Sequence, residues 1–180
     1  MTVNSITIQK STSTSTDLDL LFTLCQKTFS GNFAHHFNEG GLDLYLNQVY
    51  SREGIKADLI NPYINYFIAF CNSKPVGFMK LHLNSNLPDY LPECGMEVEK
   101  IYFFPRHQGK GIGRKLMNVA IELALQLNKE LIWLGVIDTN TNAIAFYRKM
   151  GFTLYDKTRL DVPYFKEELR GMWRMTFYLG

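Results

Sequence analysis

Hydrophobic and polar positions change period several times along the chain, and each change predicts an element. Residues 5–10 set Ile6 and Ile8 between polar neighbours, the two-residue period of a half-buried strand. The Ser/Thr run that follows ends at Asp17, a good helix N-cap, which predicts a first helix over about 18–29. Residues 42–50 and 55–59 read as shorter amphipathic helices, broken near Gly54 and stopped by Asn61-Pro62. Residues 66–71 and 76–83 are apolar, strand-like runs, and Asn72-Ser73-Lys74-Pro75 between them argues for a hairpin. Residues 84–95, with Pro88 and Pro92, are irregular, and 96–104 form a strand ended by Pro105.

In the second half the period lengthens. Leu116, Ala120, Leu123 and Leu127 recur at helical spacing, so a helix of about 16 residues should follow directly on a glycine-rich stretch. Residues 131–137 are a continuous apolar run, typical of a strand buried on both faces. Residues 142–150 are a helix with Gly151 as its stop, and 152–159 and 172–179 are the last two strands. This order predicts an α/β (α+β) sandwich around one central mixed sheet, with no repeat and no internal boundary. The 180 residues, 46% apolar and 14% aromatic, suffice for one sizeable core, so residues 1–180 are expected to form a single domain.

Charge and cysteine content remove several function classes. A formal charge of +2 is too small to imply a nucleic-acid or membrane partner. The N-terminal stretch has no basic segment followed by an apolar one, and no apolar run approaches the roughly 18 residues of a membrane span. A cytoplasmic protein is expected. Cys25, Cys71 and Cys94 are separated by 46 and 23 positions, which fits neither a disulfide framework nor a zinc ligand pair, and they read as buried or inert thiols. His35 and His36 are adjacent and point apart on a helix, while His82 and His107 stand alone, so no metal site is expected.

The chemistry concentrates in RHQGKGIGRKL, residues 106–116, with glycines at 109, 111 and 113. Glycines there let the backbone turn sharply and its N–H groups point inward, and the helix that follows adds the partial positive charge of its N-terminus. Arg106, Lys110, Arg114 and Lys115 make an anion the expected ligand, the alternative being a glycine-rich turn with a solvated basic rim. A Walker A loop is absent, because the residue five beyond Gly109 is Arg114. The dinucleotide fingerprint fails too, since the third glycine comes one residue early and the loop lies halfway down the chain.

The pattern that fits is Q-x-x-G-x-G, with Gln108, Gly111 and Gly113, which resembles the acetyl-coenzyme A loop of the GNAT superfamily of N-acetyltransferases. Upstream, GMEVEKIYFFP resembles that family's fourth strand, and downstream LIWLGV and DTNTNAIAFYRKMGF resemble its fifth strand and following helix, over about 55 residues. Within the superfamily, GKGIGRKLM, NKELIWLGV and NAIAFYRKMGF look most like the PaiA-type spermidine/spermine N-acetyltransferases. The resemblance implies a mixed, mostly antiparallel twisted sheet of about seven strands with helices on both faces. It also implies acetyl-CoA as cosubstrate without a metal. Its pantetheine arm would pair with the backbone of Ile101, Tyr102 and Phe103, and its pyrophosphate would lie on Gln108, Gly109, Lys110, Gly111, Ile112, Gly113 and Arg114.

Acyl transfer to an amine needs a base and an acid. Glu97 and Glu99 alternate on one face of the fourth strand, the same face as Ile101, and one of them is expected to draw the amine proton through water. Their alternative role is that of solvent-facing residues or charge partners of a cationic substrate. Tyr147, in the Phe-Tyr pair, occupies the family position that protonates the departing thiolate; otherwise it is an aromatic core residue like Phe146. Asn140 lies seven residues earlier, about two helical turns, and is expected to hydrogen-bond the cofactor from the same side.

For the acceptor, Phe29, Phe33, Phe37 and Tyr45 can line an apolar slot, and Asp89, Glu93, Glu97, Glu99, Asp161, Glu167 and Glu168 can attract a polyamine. A polyamine such as spermidine or spermine is the preferred acceptor. Other small amines, a peptide N-terminus, a protein lysine, and a non-catalytic acetyl-CoA sensor are the alternatives. Thr139 and Asn142 stand where many relatives have charged residues, and the C-terminal segment has only loose similarity to PaiA-type ends. A monomer and a homodimer are both compatible with the sequence.

Overall fold

The computed structural model describes residues 5–85 and 87–180. The expectations that touch residues 1–4 and Asn86 lie outside the described residues. Seven strands, β1 (Ile6–Lys10), β2 (Ile64–Cys71), β3 (Lys74–His82), β4 (Gly95–Phe103), β5 (Leu131–Ile137), β6 (Thr153–Arg159) and β7 (Gly171–Tyr178), form one sheet. Its order is β1-β2-β3-β4-β5-β7-β6, and every neighbouring pair is antiparallel except β4 and β5. Helices α1 (Ser15–Phe33), α2 (Gly41–Val49) and α3 (Arg52–Ile60) cover one face, and α4 (Ile112–Gln126) and α5 (Thr141–Lys149) the other. Among the described residues no helix is long and apolar enough to cross a membrane.

Two cores result from the two faces. On the α4 side, Ile112, Leu116, Met117, Ala120 and Ala124 form the buried stripe of the helix and pack on Met79, Leu81, Met96, Val98 and Ile132. On the α1 side, Leu21, Leu24, Cys25, Phe29, Leu46 and Ile55 pack on Tyr66, Ile68 and Phe78.

Local chemistry moves several predicted boundaries. Thr14, rather than Asp17, caps α1, accepting the Asp17 N–H at 3.3 Å; the Asp17 carboxylate instead takes the Thr12 amide and hydroxyl. Gly54 does not break a helix but lies in the first turn of α3, where its N–H is held by the capping Ser51 hydroxyl at 3.1 Å. The hairpin turn is the two residues Asn72 (φ 49°) and Ser73 (φ 62°), whose left-handed backbone matches the twist of the flanking strands. Pro75 sits inside β3, opposite Phe70, where a register shift spares it a ladder hydrogen bond.

Two irregularities shape the site. β4 and β5 pair only through Gly95–Leu131, Met96–Ile132 and Glu97–Trp133, and then separate. In β4 the register against β3 slips, with Lys100 opposite Lys80 and Val98 opposite Leu81, which leaves Glu99 as an extra residue. This bulge reverses the alternation beyond it. Ile101 therefore packs against the α4-side core while Glu99 reaches Lys80 and His82 on the α1 side, and the expectation that Glu97, Glu99 and Ile101 share one face is overturned at Ile101.

Candidate active site

Where β4 and β5 part, a cavity of about 860 Å³ opens. Glu97, Glu99, Ile101, Tyr102, Phe103, Gln108, Gly109, Gly111, Ile112, Gly113, Arg114, Asn140 and Tyr147 all line it. Lys110 does not; it is exposed on the outer side of the loop. A volume of this size, walled largely by apolar side chains with a few convergent polar groups, suits a cofactor and a small acceptor together.

At the glycine loop, Gly109 (φ +72°) and Gly111 (φ +84°) adopt left-handed backbone, and a Cβ at either would meet nothing within 4 Å. The loop thus presents bare backbone, and Gly111 leads straight into the first N–H groups of α4. This is the donor set a pyrophosphate needs, so the residues present fit coenzyme A. Gly113 serves a different end: its missing Cβ lets Phe146 and Phe103 approach, at 3.3 and 3.6 Å from where that atom would lie. The four bases of the loop divide in function. Arg114 lines the cavity, whereas Arg106 stacks on the Phe104 ring at 4.7 Å and Lys115 donates to the Ile6 carbonyl at 2.8 Å.

Glu97 and Glu99 have opposite electrostatic settings. Burial raises the Glu97 carboxyl above its ordinary range, and the Ser85 hydroxyl that donates to it at 2.7 Å offsets this only in part. Burial acts on Glu99 in the same direction, but the hydrogen bond to His82 and the ammonium groups of Lys100 and Lys80 hold its carboxyl well below the usual range. Lys80 lies 2.9 Å from it and Lys100 3.2 Å. Glu99 is therefore a fixed anion, while Glu97 is a carboxylate with few partners.

Tyr147 projects from α5 into the α4-side core, packs against Phe146 and Phe152, and is buried, yet still borders the cavity. Burial pushes its phenol well above the ordinary value, so it is a protonated donor at neutral pH. Asn140 caps α5, its side-chain oxygen accepting the Ala143 N–H at 3.2 Å. No hydrogen bond of its side-chain amide nitrogen is formed among the described residues, and the residue lines the cavity.

The acceptor side is only partly as the sequence suggested. Phe29, Phe33 and Tyr45 line the cavity, but Phe37 is buried beside Phe165 in the α1-side core. Of the seven acidic residues proposed to gather a polyamine, Glu97 and Glu99 line the cavity and the other five do not. Asp89 accepts from Tyr155, and Glu167 pairs with Arg159 and Arg170. Lys100, Trp133, Gly135, Phe165 and Arg174 line the cavity without having been singled out. The β4 bulge hid Lys100, and Trp133 and Gly135 lay inside a run that reads only as buried strand. A Cβ on Gly135 would come 2.7 Å from the Met172 side-chain methyl, so the glycine lets Met172 lie over this strand.

The match to known proteins agrees with this geometry. Residues 27–152 match the model of the acetyltransferase (GNAT) family. An uncharacterised N-acetyltransferase of Lactobacillus delbrueckii subsp. lactis is 23% identical over 141 residues, covering 78% of this chain and 82% of that protein. An uncharacterised N-acetyltransferase of Methanocaldococcus jannaschii is 36% identical over 91 residues, but the match takes in only 48% of this chain and 38% of that one. In fold, the PaiA N-acetyltransferase of Thermoplasma acidophilum, solved in complex with coenzyme A, superimposes with a TM-score of 0.75 at 22% identity, over 97% of this chain and 99% of its own. The sheet forked between β4 and β5 above a glycine loop is thus the fold of an acetyltransferase-family protein. The chain belongs to the acetyltransferase (GNAT) family.

Proposed function

We propose that the protein transfers the acetyl group of acetyl-CoA directly to a primary amine, with Glu97 as base and Tyr147 as acid. The observation that carries this reading is that both residues border one cavity, from opposite sides of the gap between β4 and β5. Bound acetyl-CoA supplies the thioester; Gln108, the Gly109–Arg114 stretch, the β4 backbone at Ile101–Phe103, and Asn140 would hold it.

An aliphatic ammonium has a pKa near 10.4, so at neutral pH only about one molecule in a few thousand carries the free electron pair needed for attack. Glu97, raised by burial but not tied to a cation, accepts that proton, directly or through one water. Glu99 is committed to Lys80, Lys100 and His82, which supports it as a charge that fixes the strand rather than as the base. On the other side of the reacting centre, the neutral Tyr147 phenol donates to the sulfur as it leaves.

A polyamine acceptor, such as spermidine or spermine, would draw on Glu97 alone as an uncommitted carboxylate in the cavity. The test is thiol release from acetyl-CoA against a panel that spans polyamines, amino acids, simple amines and lysine peptides. Turnover of at least one amine is expected. Acetyl-CoA binding without turnover of any of them would reduce the protein to a cofactor-binding sensor.

A further inference from the structure

The ionic groups beneath the acceptor side of the cavity form one connected set. Asp58 accepts from the Tyr66 hydroxyl at 2.7 Å and pairs with Lys80 at 2.8 Å. Glu99 gives one oxygen to Lys80 and His82 and the other to Lys100. Leaving the His82 imidazole aside, the two carboxylates and two ammonium groups of this set cancel. Only Glu99 and Lys100 of the set line the cavity.

Lys100 is the member with unspent donors. Its side chain is only 16% exposed, and among the described residues its one ionic partner is Glu99. An ammonium carries three N–H donors, and a buried donor left without a partner is costly. Around it the cavity is aromatic: Phe29 stacks on Tyr45 with ring centroids 4.6 Å apart, and Tyr102 meets Phe29 edge-on at 5.8 Å. Arg174, another cation that lines the cavity, is already bound by Asp156 at 3.0 Å.

We propose that the acceptor is an amino-acid-like molecule, whose carboxylate is read by the Lys100 ammonium and whose apolar side chain packs among Phe29, Phe33 and Tyr45, leaving its amine to Glu97. Glu97 and Lys100 leave the same strand three positions apart, and the bulge between them puts both on the α1-side face, so one small molecule spans them. A second ammonium in place of the carboxylate would face Lys100 and be repelled. Burial alone would lower the Lys100 pKa, but Tyr102, Tyr45 and Glu99 outweigh it and keep the group charged throughout the neutral range.

The inference rests on the acetyltransferase reading for its amine and on Lys100 for its anion, and the two separate by experiment. Calorimetry on the protein saturated with coenzyme A compares phenylalanine, phenethylamine and spermidine, and thiol release compares the same three amines with acetyl-CoA. Phenylalanine is expected to bind about tenfold more tightly than phenethylamine, the discrimination that one charged hydrogen bond supplies. Lys100→Met should bring the ratio of the two close to one, and Lys100→Arg should retain a preference for the carboxylate. Equal or tighter binding of phenethylamine or spermidine by the wild-type protein overturns the inference even if Lys100→Met does not fold. Turnover of amines with no carboxylate preference overturns the inference alone. Preferential phenylalanine binding without turnover of any amine overturns the enzymatic reading and leaves the carboxylate site standing.

Discussion

Glu97 stands opposite Trp133 in the last rung that joins β4 to β5. Backbone pairing thus places Glu97 where the two strands separate, and the Ser85 hydroxyl, donating at 2.7 Å, holds its carboxylate beside the cavity. Position and a raised pKa come from the same cause, because a side chain held at the bottom of a cleft is poorly hydrated.

Glu97→Gln is expected to lower kcat by about a hundredfold or more, the scale of a lost general base. A base must be ionised, and burial raises this carboxyl, so wild-type kcat/KM should climb with pH along an acid limb whose midpoint lies above the ordinary glutamate value. That limb should disappear in the variant. An unchanged limb in the pH–rate profile would assign it to another group.

Tyr147→Phe is expected to slow acetyl transfer by about tenfold or more while leaving the acetyl-CoA dissociation constant nearly unchanged, because the interaction is made only as the thiolate leaves. The ring should still pack against Phe146 and Phe152, so the melting temperature should change little. Full activity in this variant would remove the acid role.

Gly111→Glu is expected to abolish acetyl-CoA binding by calorimetry. The position has φ +84°, and the substitution places both a side chain and a negative charge where the loop offers bare backbone to a phosphate. A Cβ there meets no other atom within 4 Å, so the folding cost is that of the left-handed backbone, about 1–2 kcal/mol, and the variant should keep its fold, checked by circular dichroism. Undiminished binding would move the pyrophosphate elsewhere.

Glu99→Gln should destabilise the protein by roughly 3 kcal/mol at neutral pH, since it leaves Lys100 without its anion and Lys80 with Asp58 alone. The sign with pH follows from the depressed native pKa. Wild-type Glu99 contributes its full stabilisation above the unfolded-state value of 4.5 and loses it as pH falls towards the lower native value. The gap between variant and wild type in urea unfolding should therefore narrow progressively below about pH 4.5.

Much of this arrangement is legible in the sequence, because local patterns decide it. The glycine loop, the helix after it, and the strands that bracket it follow from period and punctuation, and Gln108, Gly111, Gly113 and Tyr147 can be placed by motif. What resists reading is whatever depends on pairing. No periodicity shows that β7 inserts between β5 and β6, which carries Arg174 to the cavity. In GMEVEKIYF the alternation breaks at Glu99-Lys100, but only pairing with β3 shows that Glu99 is the extra residue, and that single slip decides that Lys100 faces the acceptor side and Ile101 the other. Asp89, Glu167 and Glu168 were plausible attractors for a cation only so long as their loops were not placed.

The three rungs between β4 and β5 have a further consequence. Beyond them the sheet carries a pair of interior edges, whose unpaired N–H and C=O groups form the kind of template that natural sheets expose only with safeguards. On the proposed function the safeguard is the ligand itself: a pantetheine arm laid along β4 would occupy the row that a stray strand would need. Cofactor supply would then govern resistance to misassembly as well as turnover, and the protein drained of acetyl-CoA would be the form most prone to pair with its own kind.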